Sequence, residues 1–244
     1  MKKRLLITFG DSFTYGLQEE DDKCLEYSVG SHLSEWLGFD RYVNFSKPAW
    51  GNETVWKEFL NKNPRETFHG WDVYCIFIAS YFVRLTLPLD NYYFTLSYNS
   101  KELPIMKEWI LMNDNPIKVL EKVNCDVIKE ILQTFNDWNW KWLLGFNDID
   151  DENVFKNKFN KIRSEKIIPP SFSRGMYHGA PKKYHCKVTD HLNKDGYHHV
   201  AKLIFDYILE TNPNWKGNGT PTKEEDNIDY FKDSEIDLTN RTPF

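Results

Sequence analysis

The chain has 244 residues, 41% of them hydrophobic and 27% charged, which is the length and composition of a single globular domain. The net charge of −5 arises mainly in residues 217–244, where seven acidic side chains accompany three basic ones, so the rest of the chain is nearly neutral. These values give no indication of nucleic-acid binding, and no stretch reaches the roughly 18 apolar residues of a membrane span.

Cysteine usage and the amino-terminal segment bear on the cellular compartment. The four cysteines are widely spaced and form no C-x-x-C pair, which indicates reduced thiols. The basic start Met1–Arg4 is followed by an apolar run that already ends at Gly10, too short for a secretory signal. We therefore expect synthesis in the cytoplasm. The Asn-, Lys- and aromatic-rich composition also suits a phage or viral protein, for which association with a virion is the alternative.

Short apolar runs alternate with amphipathic stretches through the first half of the chain. An unbroken apolar run is typical of a strand buried on both faces, and apolar residues at helical spacing indicate an amphipathic helix. These patterns predict strands at Leu5–Phe9, Tyr42–Phe45 and Val73–Ala79, a helix at Leu25–Leu37 closed by Gly38, and a helix carrying Val55, Trp56 and Phe59.

The second half is interrupted by prolines before regular patterns return. Residues 85–123 contain Pro88, Pro104 and Pro116 and are predicted as an irregular excursion over the edge of the sheet, with one short helix at Met106–Met112. The later patterns first predict an amphipathic helix through Val127, Ile128, Ile131, Leu132 and Phe135 and then a strand at Trp140–Phe146. They next predict a loop or surface helix over 147–166 and a long loop over 167–190. The last predicted helix has Val200, Leu203, Ile204, Tyr207 and Ile208 on one face.

This alternation of strands and helices predicts the fold class. It favours an α/β protein built as a three-layer α/β/α sandwich around a central, mainly parallel sheet of the flavodoxin-like type. Residues 1–210 would form this domain. Residues 211–244, rich in Pro, Gly, Asn and acidic side chains, would be an acidic tail that is disordered or laid on the surface. Ligand sites in such sheets lie beyond the carboxyl ends of the strands.

Ser12 follows the first predicted strand in the sequence Gly10-Asp11-Ser12. Gly10 permits a sharp exit from the strand. A serine at the start of the next helix gains a positive helix dipole and nearby backbone N–H groups, which suits a nucleophile and an oxyanion hole. The alternative is that Asp11 and Ser12 only cap a helix.

His191 precedes the last predicted helix, in Asp190-His191-Leu192-Asn193. A serine hydroxyl is a weak nucleophile until a base takes its proton, and histidine is the usual base. In a parallel sheet the loop before the final helix can return to the edge where the first strand ends. Ser12 and His191 are therefore a candidate nucleophile and base.

Gly10-Asp11-Ser12 and the His-Leu-Asn-x-x-Gly run from His191 to Gly196 together resemble the first and last sequence blocks of the SGNH (GDSL-like) hydrolases. The resemblance implies an α/β/α sandwich that hydrolyses carboxylic esters, such as acyl or acetyl esters of carbohydrates or lipids, through an acyl-Ser12 intermediate. It implies a small-molecule or glycan ester as partner, and neither a cofactor nor a metal. The oligomeric state is left open.

The two middle blocks of the family match less well. Gly51 fits the glycine whose N–H, with that of Ser12, binds the oxyanion in the family. The third block, Gly-x-Asn-Asp in the family, is Ala79-Ser80-Tyr81-Phe82 here and lacks both the glycine and the asparagine. Either the Asn52 side chain or the Ser80 hydroxyl would have to replace the missing donor. We favour Asn52, against the alternative that it is a turn residue.

The acid partner of His191 is also displaced. The family places it three residues before the histidine, where this chain has Val188, whereas Asp190 is directly adjacent. Successive side chains of an extended segment point to opposite sides, so Asp190 orients His191 only if the loop is bent. The alternative is a Ser–His dyad in which a backbone carbonyl holds His191.

Four residues near the same predicted edge are candidates for substrate binding: Trp50, Ser80, Tyr81 and Arg84. Arg84 would pair with a carboxylate, and the rings of Trp50 and Tyr81, with that of Phe82, would stack on sugar. The alternative is that these side chains pack in the domain or are solvated.

Two other functions compete with esterase activity. Five histidines lie between residues 178 and 199, but they lack H-x-x-x-H spacing and the adjacent His198 and His199 cannot both face one ion, so we expect no metal site. The second rival is an SGNH-like domain that has lost catalysis and binds a glycan or forms part of a larger assembly. The altered third block favours it, while Ser12 and His191 oppose it.

Overall fold

A computed structural model provides the structure of the chain. It describes residues 2–11, 14, 16, 28–47, 50–82, 84–89, 92–97, 115–147, 149–158, 162–169, 182–184, 191–217 and 228–229. None of the helices in this part of the chain is both long and apolar enough to cross a membrane.

Strands and helices alternate along the described residues. The strands are β1 (Arg4–Phe9), β2 (Arg41–Asn44), β3 (Asp72–Ala79), β4 (Arg84–Leu89), β5 (Tyr92–Ser97), β6 (Lys141–Phe146) and β7 (Ile228–Asp229). The helices are α1 (Val29–Leu37), α2 (Asn52–Asn61), α3 (Pro64–Thr67), α4 (Pro116–Asp137), α5 (Ile149–Lys158) and α6 (Lys194–Thr211). Short 3-10 turns lie at Ser164–Lys166, Lys182–Tyr184 and Pro213–Trp215.

The main sheet is parallel, with strand order β6-β3-β1-β2-β7. Ile7 of β1 lies opposite Val43 of β2 on one side and Cys75 of β3 on the other. The two-residue strand β7 continues the sheet beyond β2, and β4 and β5 form a separate antiparallel pair. Because the main strands are parallel, their carboxyl ends lie at one edge of the sheet, called the carboxyl edge below.

Helices cover both faces of the sheet. The pleat sends Leu5, Ile7 and Phe9 of β1 into one apolar cluster and Leu6 into the other. Buried side chains of α2 and α4 complete the first cluster, and those of α1 and α6 complete the second. β1 is apolar except for Arg4 and Thr8, because both of its faces are buried from Leu5 onward. The predicted three-layer α/β/α sandwich is confirmed.

Two predicted boundaries are wrong for identifiable reasons. Ser28 is extended and caps α1 through its side chain, which accepts from Ser31 N, so the helix begins at Val29 and not at Leu25. Pro116 does not break a helix but opens α4, because the first helical position needs no N–H and Asn115 caps it.

The segment from 85 to 123 is therefore more regular than predicted. It contains the hairpin of β4 and β5 and the first two turns of α4. The short helix predicted at Met106–Met112 lies outside the described residues.

The residues that follow α6 contact the core. Trp215 is 1% exposed and packs edge-on against Tyr74 of β3. Arg4 of β1 donates to the carbonyls of Leu37, Gly38 and Trp215, with its guanidinium against the rings of Phe39 and Tyr74. The predicted domain boundary at residue 210 stays a prediction, but residues as far as Gly217 are joined to the domain through Gly217 N, which donates to Leu37 O.

Candidate functional site

Polar residues gather where the main strands end. Asp11 follows β1, Ser46 follows β2, Ser80 follows β3 and Asn147 follows β6, and all four are buried. In an open parallel sheet this edge is where ligands bind, because loops there can diverge and backbone groups are exposed to the crevice. A buried polar cluster at this edge is the candidate functional site.

Asp11 lies at the centre of this cluster. Its carboxylate accepts hydrogen bonds from Ser80 Oγ at 3.4 Å and from Asn147 Nδ2 at 3.0 Å, and the side chain is fully buried. Gly10, just before it, is closely surrounded, since a Cβ there would overlap the Thr14 side chain and lie 3.0 Å from Ile78 O. Asp11 is thus held by the side chains that follow β3 and β6.

Asn52, in the first turn of α2, pairs with the backbone of Ser80. Its Oδ1 accepts from Ser80 N at 2.7 Å, and its Nδ2 donates to Ser80 O at 3.2 Å and to Asn124 Oδ1 at 2.8 Å. Both hydrogens of the Asn52 amide are therefore donated within the protein. To donate to an oxyanion as predicted, Asn52 would have to release one of these bonds.

Asn124 of α4 is a member of the cluster that sequence reasoning missed. Besides accepting from Asn52, its Nδ2 donates to Phe82 O at 2.9 Å and to Leu120 O at 3.1 Å. The signal was present in the sequence, since Asn124 lies between Leu120 and Ile128 at intervals of four, on the apolar stripe of its helix. A polar side chain on such a stripe indicates a buried hydrogen-bonding role.

Lys47 was missed as well. It follows Ser46, is largely buried, and its N–H donates to Gly10 O at 3.1 Å. Its ammonium lies 4.4 Å from the centre of the Trp50 ring, a cation–π distance. The backbone of Lys47 is therefore joined to Gly10, and its ammonium lies against Trp50.

Three polar atoms of the cluster retain unused hydrogen-bonding capacity. Thr14 Oγ1, Ser46 Oγ and Asn147 Oδ1 are buried, and within the described part of the chain they have no hydrogen-bond partner. Native proteins satisfy most such atoms, and a catalytic or ion-binding role is among the explanations for the exceptions. Their location at the ends of β1, β2 and β6 supports a site at this edge.

His191 lies just before α6, at the same edge of the sheet. The C-terminus of α1 contacts Arg4 at the opposite edge, so α1 begins near the carboxyl edge. The two helices run side by side, since the His32 ring of α1 is 5.3 Å from the His198 ring of α6. The start of α6, three residues after His191, is therefore at the carboxyl edge too.

The predicted substrate-binding residues differ in how they are placed. Trp50 is only 7% exposed and packs in the first apolar cluster, which favours the packing alternative over sugar stacking. Phe82 is fully buried against Phe146. Tyr81 is partly exposed, and Arg84 opens β4, where only its backbone is described. Ser12 and Asp190 lie outside the described residues.

Buried thiols do not contribute a nucleophile. Burial raises the pKa of the Cys75 thiol well above its usual range and that of Cys125 to about 11. Both thiols stay protonated at neutral pH, and a thiol is a poor nucleophile compared with its thiolate.

Gly51 is the N-cap residue of α2, with φ −81° and ψ 168°. This ordinary extended conformation does not itself require glycine. The atoms nearest to a Cβ there would be those of the Glu53 carboxylate, at 2.7 Å and beyond, which is the movable end of a side chain. If Gly51 takes part in an oxyanion hole, it does so through its backbone N–H.

Metal coordination requires several ligating side chains close together. No group of three or more His, Cys, Asp or Glu side chains could hold a metal ion among them. The histidines at 178 and 185, part of the histidine-rich segment, are outside the described residues.

Comparison with known proteins identifies the fold but not a family. No protein-family model and no curated protein sequence matches the chain. Solved structures do match: the lipase Lip_vut3 from a goat rumen metagenome has a TM-score of 0.52 and 11% identity, covering 84% of this chain and 97% of that one. TesA gives the same TM-score and identity, covering 85% of this chain and 99% of its own.

The chain has an SGNH-like α/β/α fold, as these two likenesses and the sheet order support. At 11% identity, the similarity shows a shared fold only. The activities of Lip_vut3 and TesA are therefore not assigned to this chain on this basis.

Proposed function

We propose that the chain is a serine esterase that hydrolyses a carboxylic ester, an acyl or acetyl ester of a carbohydrate or lipid, through an acyl-Ser12 intermediate. The proposal is supported by the location of three segments at the carboxyl edge of an SGNH-like sheet: the Gly10-Asp11 turn, the Gly51 cap of α2 and the start of α6, which His191 precedes. Ser12 is the residue that follows this turn in the sequence.

The chemistry assigned to these residues is acyl transfer in two steps. His191 takes the proton of Ser12 Oγ as the oxygen attacks the ester carbonyl, and then gives that proton to the departing alcohol. In the second step His191 deprotonates a water that attacks the acyl carbon, and Ser12 Oγ leaves and recovers a proton. Asp190 is assigned to orienting His191.

The oxyanion of each tetrahedral intermediate needs donors that are already in place. We assign this role to the backbone N–H groups of Ser12 and Gly51. Asn52 stays a candidate third donor, but its hydrogen bonds to Ser80 and Asn124 favour a positioning role, in which it holds the strand end beside the oxyanion. Ser80, whose hydroxyl donates to Asp11, would act in the same way.

Substrate contacts are assigned to the side chains that border this edge. Tyr81 is partly exposed and is the ring best suited to lie against a sugar or an acyl chain. Arg84 stays a candidate partner for a substrate carboxylate. Because Trp50 is buried, we assign it no substrate contact. Its ring instead packs against the Lys47 ammonium.

The test uses p-nitrophenyl esters of two to eight acyl carbons together with a serine-reactive phosphonate. We expect turnover and covalent labelling by the unmodified chain, both abolished in Ser12→Ala and retained in Ser31→Ala, a control serine in the first turn of α1. If the unmodified chain is no faster than Ser12→Ala and is not labelled on Ser12, the esterase proposal is wrong. A binding or structural SGNH-like domain would then be favoured.

A further inference from the structure

Asn147 follows β6 and joins the end of that strand to the turn after β1. Its Nδ2 donates to the Asp11 carboxylate at 3.0 Å, across 136 positions of the chain. β6 and β1 are not neighbours in the sheet, because β3 lies between them. The Asn147 side chain therefore reaches past the end of β3 to a residue that follows β1.

The end of the sheet holds Asn147 in place. Phe146, the last residue of β6, lies opposite Ala79 of β3, and the N–H of Asn147 donates to Ala79 O at 3.4 Å. Asn147 is only 1% exposed, so the surrounding protein limits the orientations of its amide. A side chain that positions another group needs this kind of support from a rigid element.

Stability alone does not account for an amide at this position. The Oδ1 of Asn147 is buried and, within the described part of the chain, receives no hydrogen bond. Burying a polar atom without a partner costs free energy, which an apolar side chain would avoid. Departures of this kind are expected where a residue serves function. The benefit of the amide is therefore its donation to Asp11.

Asp11 connects this hydrogen bond to the proposed nucleophile. Asp11 is fully buried, and Ser12 is the next residue in the chain. Ser80 Oγ also donates to Asp11, but at 3.4 Å, so the bond from Asn147 is the shorter of the two. Because a buried carboxylate without its donors is costly, the Asp11 side chain is expected to follow the position of Asn147.

We propose that Asn147 is a positioning residue for Ser12 and acts through Asp11. The inference rests on the proposed esterase function and deepens it. Asn147 contacts neither the substrate nor the reacting atoms. It holds the turn after β1 so that Ser12 Oγ meets the ester carbonyl at the productive distance, and a displacement of about 1 Å can cost roughly 10² in rate.

The test exchanges the two side chains. Asn147→Asp places a second carboxylate beside that of Asp11, and the two groups repel each other. Asp11→Asn in the same chain restores a pair of one amide and one carboxylate, now with the donor on residue 11. We expect kcat for a p-nitrophenyl ester to fall by about 10²-fold in Asn147→Asp and to return to within about tenfold of the original value in the double variant. Asn157→Asp, at an exposed position of α5, is the matched control and should keep the full kcat.

Two readouts separate positioning from a purely structural role. Each kcat is divided by the amount of Ser12 that the serine-reactive phosphonate labels at completion, and KM is measured on the same samples. A purely structural role would reduce the folded and labelled fraction but leave kcat per labelled site unchanged. A positioning role lowers kcat per labelled site with little change in KM, because the groups that bind the substrate stay in place.

Asn147→Ala removes the donor without adding a charge and serves if Asn147→Asp does not fold. Its kcat per labelled site should fall by about tenfold or more. Unchanged kcat per labelled site in Asn147→Ala, or no recovery in the double variant, would overturn the positioning role while the unmodified chain still hydrolyses the ester. If the unmodified chain is no more active than Ser12→Ala, the esterase proposal fails, and this inference fails with it.

Discussion

The side chain of Asn124 holds the end of β3 through hydrogen bonds to residues that are distant from it in the chain. It joins the first turn of α2, through Asn52, to the backbone after β3, through Phe82 O. Neither partner is near it in the chain. The Ser80 segment is thereby held from two sides, which fixes the position of any group that faces the candidate site from β3.

We expect Asn124→Leu to lower the free energy of unfolding by about 2–4 kcal/mol, because it removes the donor to Phe82 O and the acceptor of one hydrogen of the buried Asn52 amide. Urea unfolding followed by circular dichroism measures this change. Asn61→Leu, at an exposed position of α2, is the matched control and should change the free energy by less than about 0.5 kcal/mol. A loss equal to that of the control would contradict the buried hydrogen-bond network.

Gly51 allows the proposed oxyanion hole to be tested at one backbone atom. Gly51→Ala keeps the N–H and requires only a shift of Glu53, whereas Gly51→Pro removes the N–H at a φ of −81° that proline adopts. If the N–H binds the oxyanion, kcat should fall by about 10²–10³ in the proline variant and change little in the alanine variant. Equal kcat values for the two, measured on a p-nitrophenyl ester, would exclude Gly51 from the oxyanion hole.

At the scale of elements, the packing of α1 on α6 depends on a histidine that is held neutral. His32 stacks on Trp36 and meets His198 edge to face. Burial lowers the pKa of His32 from 6.5 to about 4, and repulsion by His198 and Lys194 acts in the same direction. A proton on His32 therefore opposes the contact between the two helices.

The pH dependence of stability follows from this lowered pKa. Between pH 6.5 and pH 4 the unfolded chain takes up a proton that the folded chain does not, so the free energy of unfolding should fall as the pH falls through this window. Below pH 4 the contribution is constant. Because the ring is partly exposed, we expect about 1 kcal/mol in total.

The measurement is urea unfolding at pH 7 and pH 4.5 on the unmodified chain and on His32→Gln. The loss of stability between the two pH values should be smaller in His32→Gln, whereas His69→Gln, an exposed control, should show the full loss. An identical loss in all three proteins would contradict the role of His32.

Elements were predictable where burial imposed a clear pattern. β1 and β3 are buried on both faces, so their apolar runs identify them, and the stripe of α4 identifies its C-terminal half. The hairpin of β4 and β5 was not predictable, because Pro88 lies within β4 and a proline argues against a strand. The start of α4 was misread because Pro116 signals either a helix break or a helix start, and the capping role of Asn115 decides between them.

The candidate site was predictable only in part. Residues in family-like blocks, such as Gly51 and His191, can be recognised in sequence because position along the chain identifies them. The pairing of Asn52 with Ser80, and of both with Asn124, depends on how α2, β3 and α4 meet in space. The spacing of these residues along the chain does not predict that the three segments are in contact.

At the scale of the whole molecule, the apolar core includes a side chain that follows the last long helix. Trp215 fills a position in the second apolar cluster beside Tyr74, and its carbonyl accepts from Arg4. We expect Trp215→Ala to lower the free energy of unfolding by about 3–5 kcal/mol, as for other large buried rings. Thermal and urea unfolding measure this loss, with Leu60→Ala, at a 40% exposed position, as the control. A loss no larger than that of the control would show that the domain does not need residues beyond α6.

The contact between Arg4 and Trp215 has a practical consequence for handling the molecule. It brings together residues 211 positions apart, at the edge of the sheet opposite the polar cluster. A dye, an affinity handle or a surface linker attached near residue 2 or residue 217 would therefore point away from the carboxyl edge. Immobilised in this way, the molecule would present that edge to a solution of candidate esters or glycans, with both attachment points behind it.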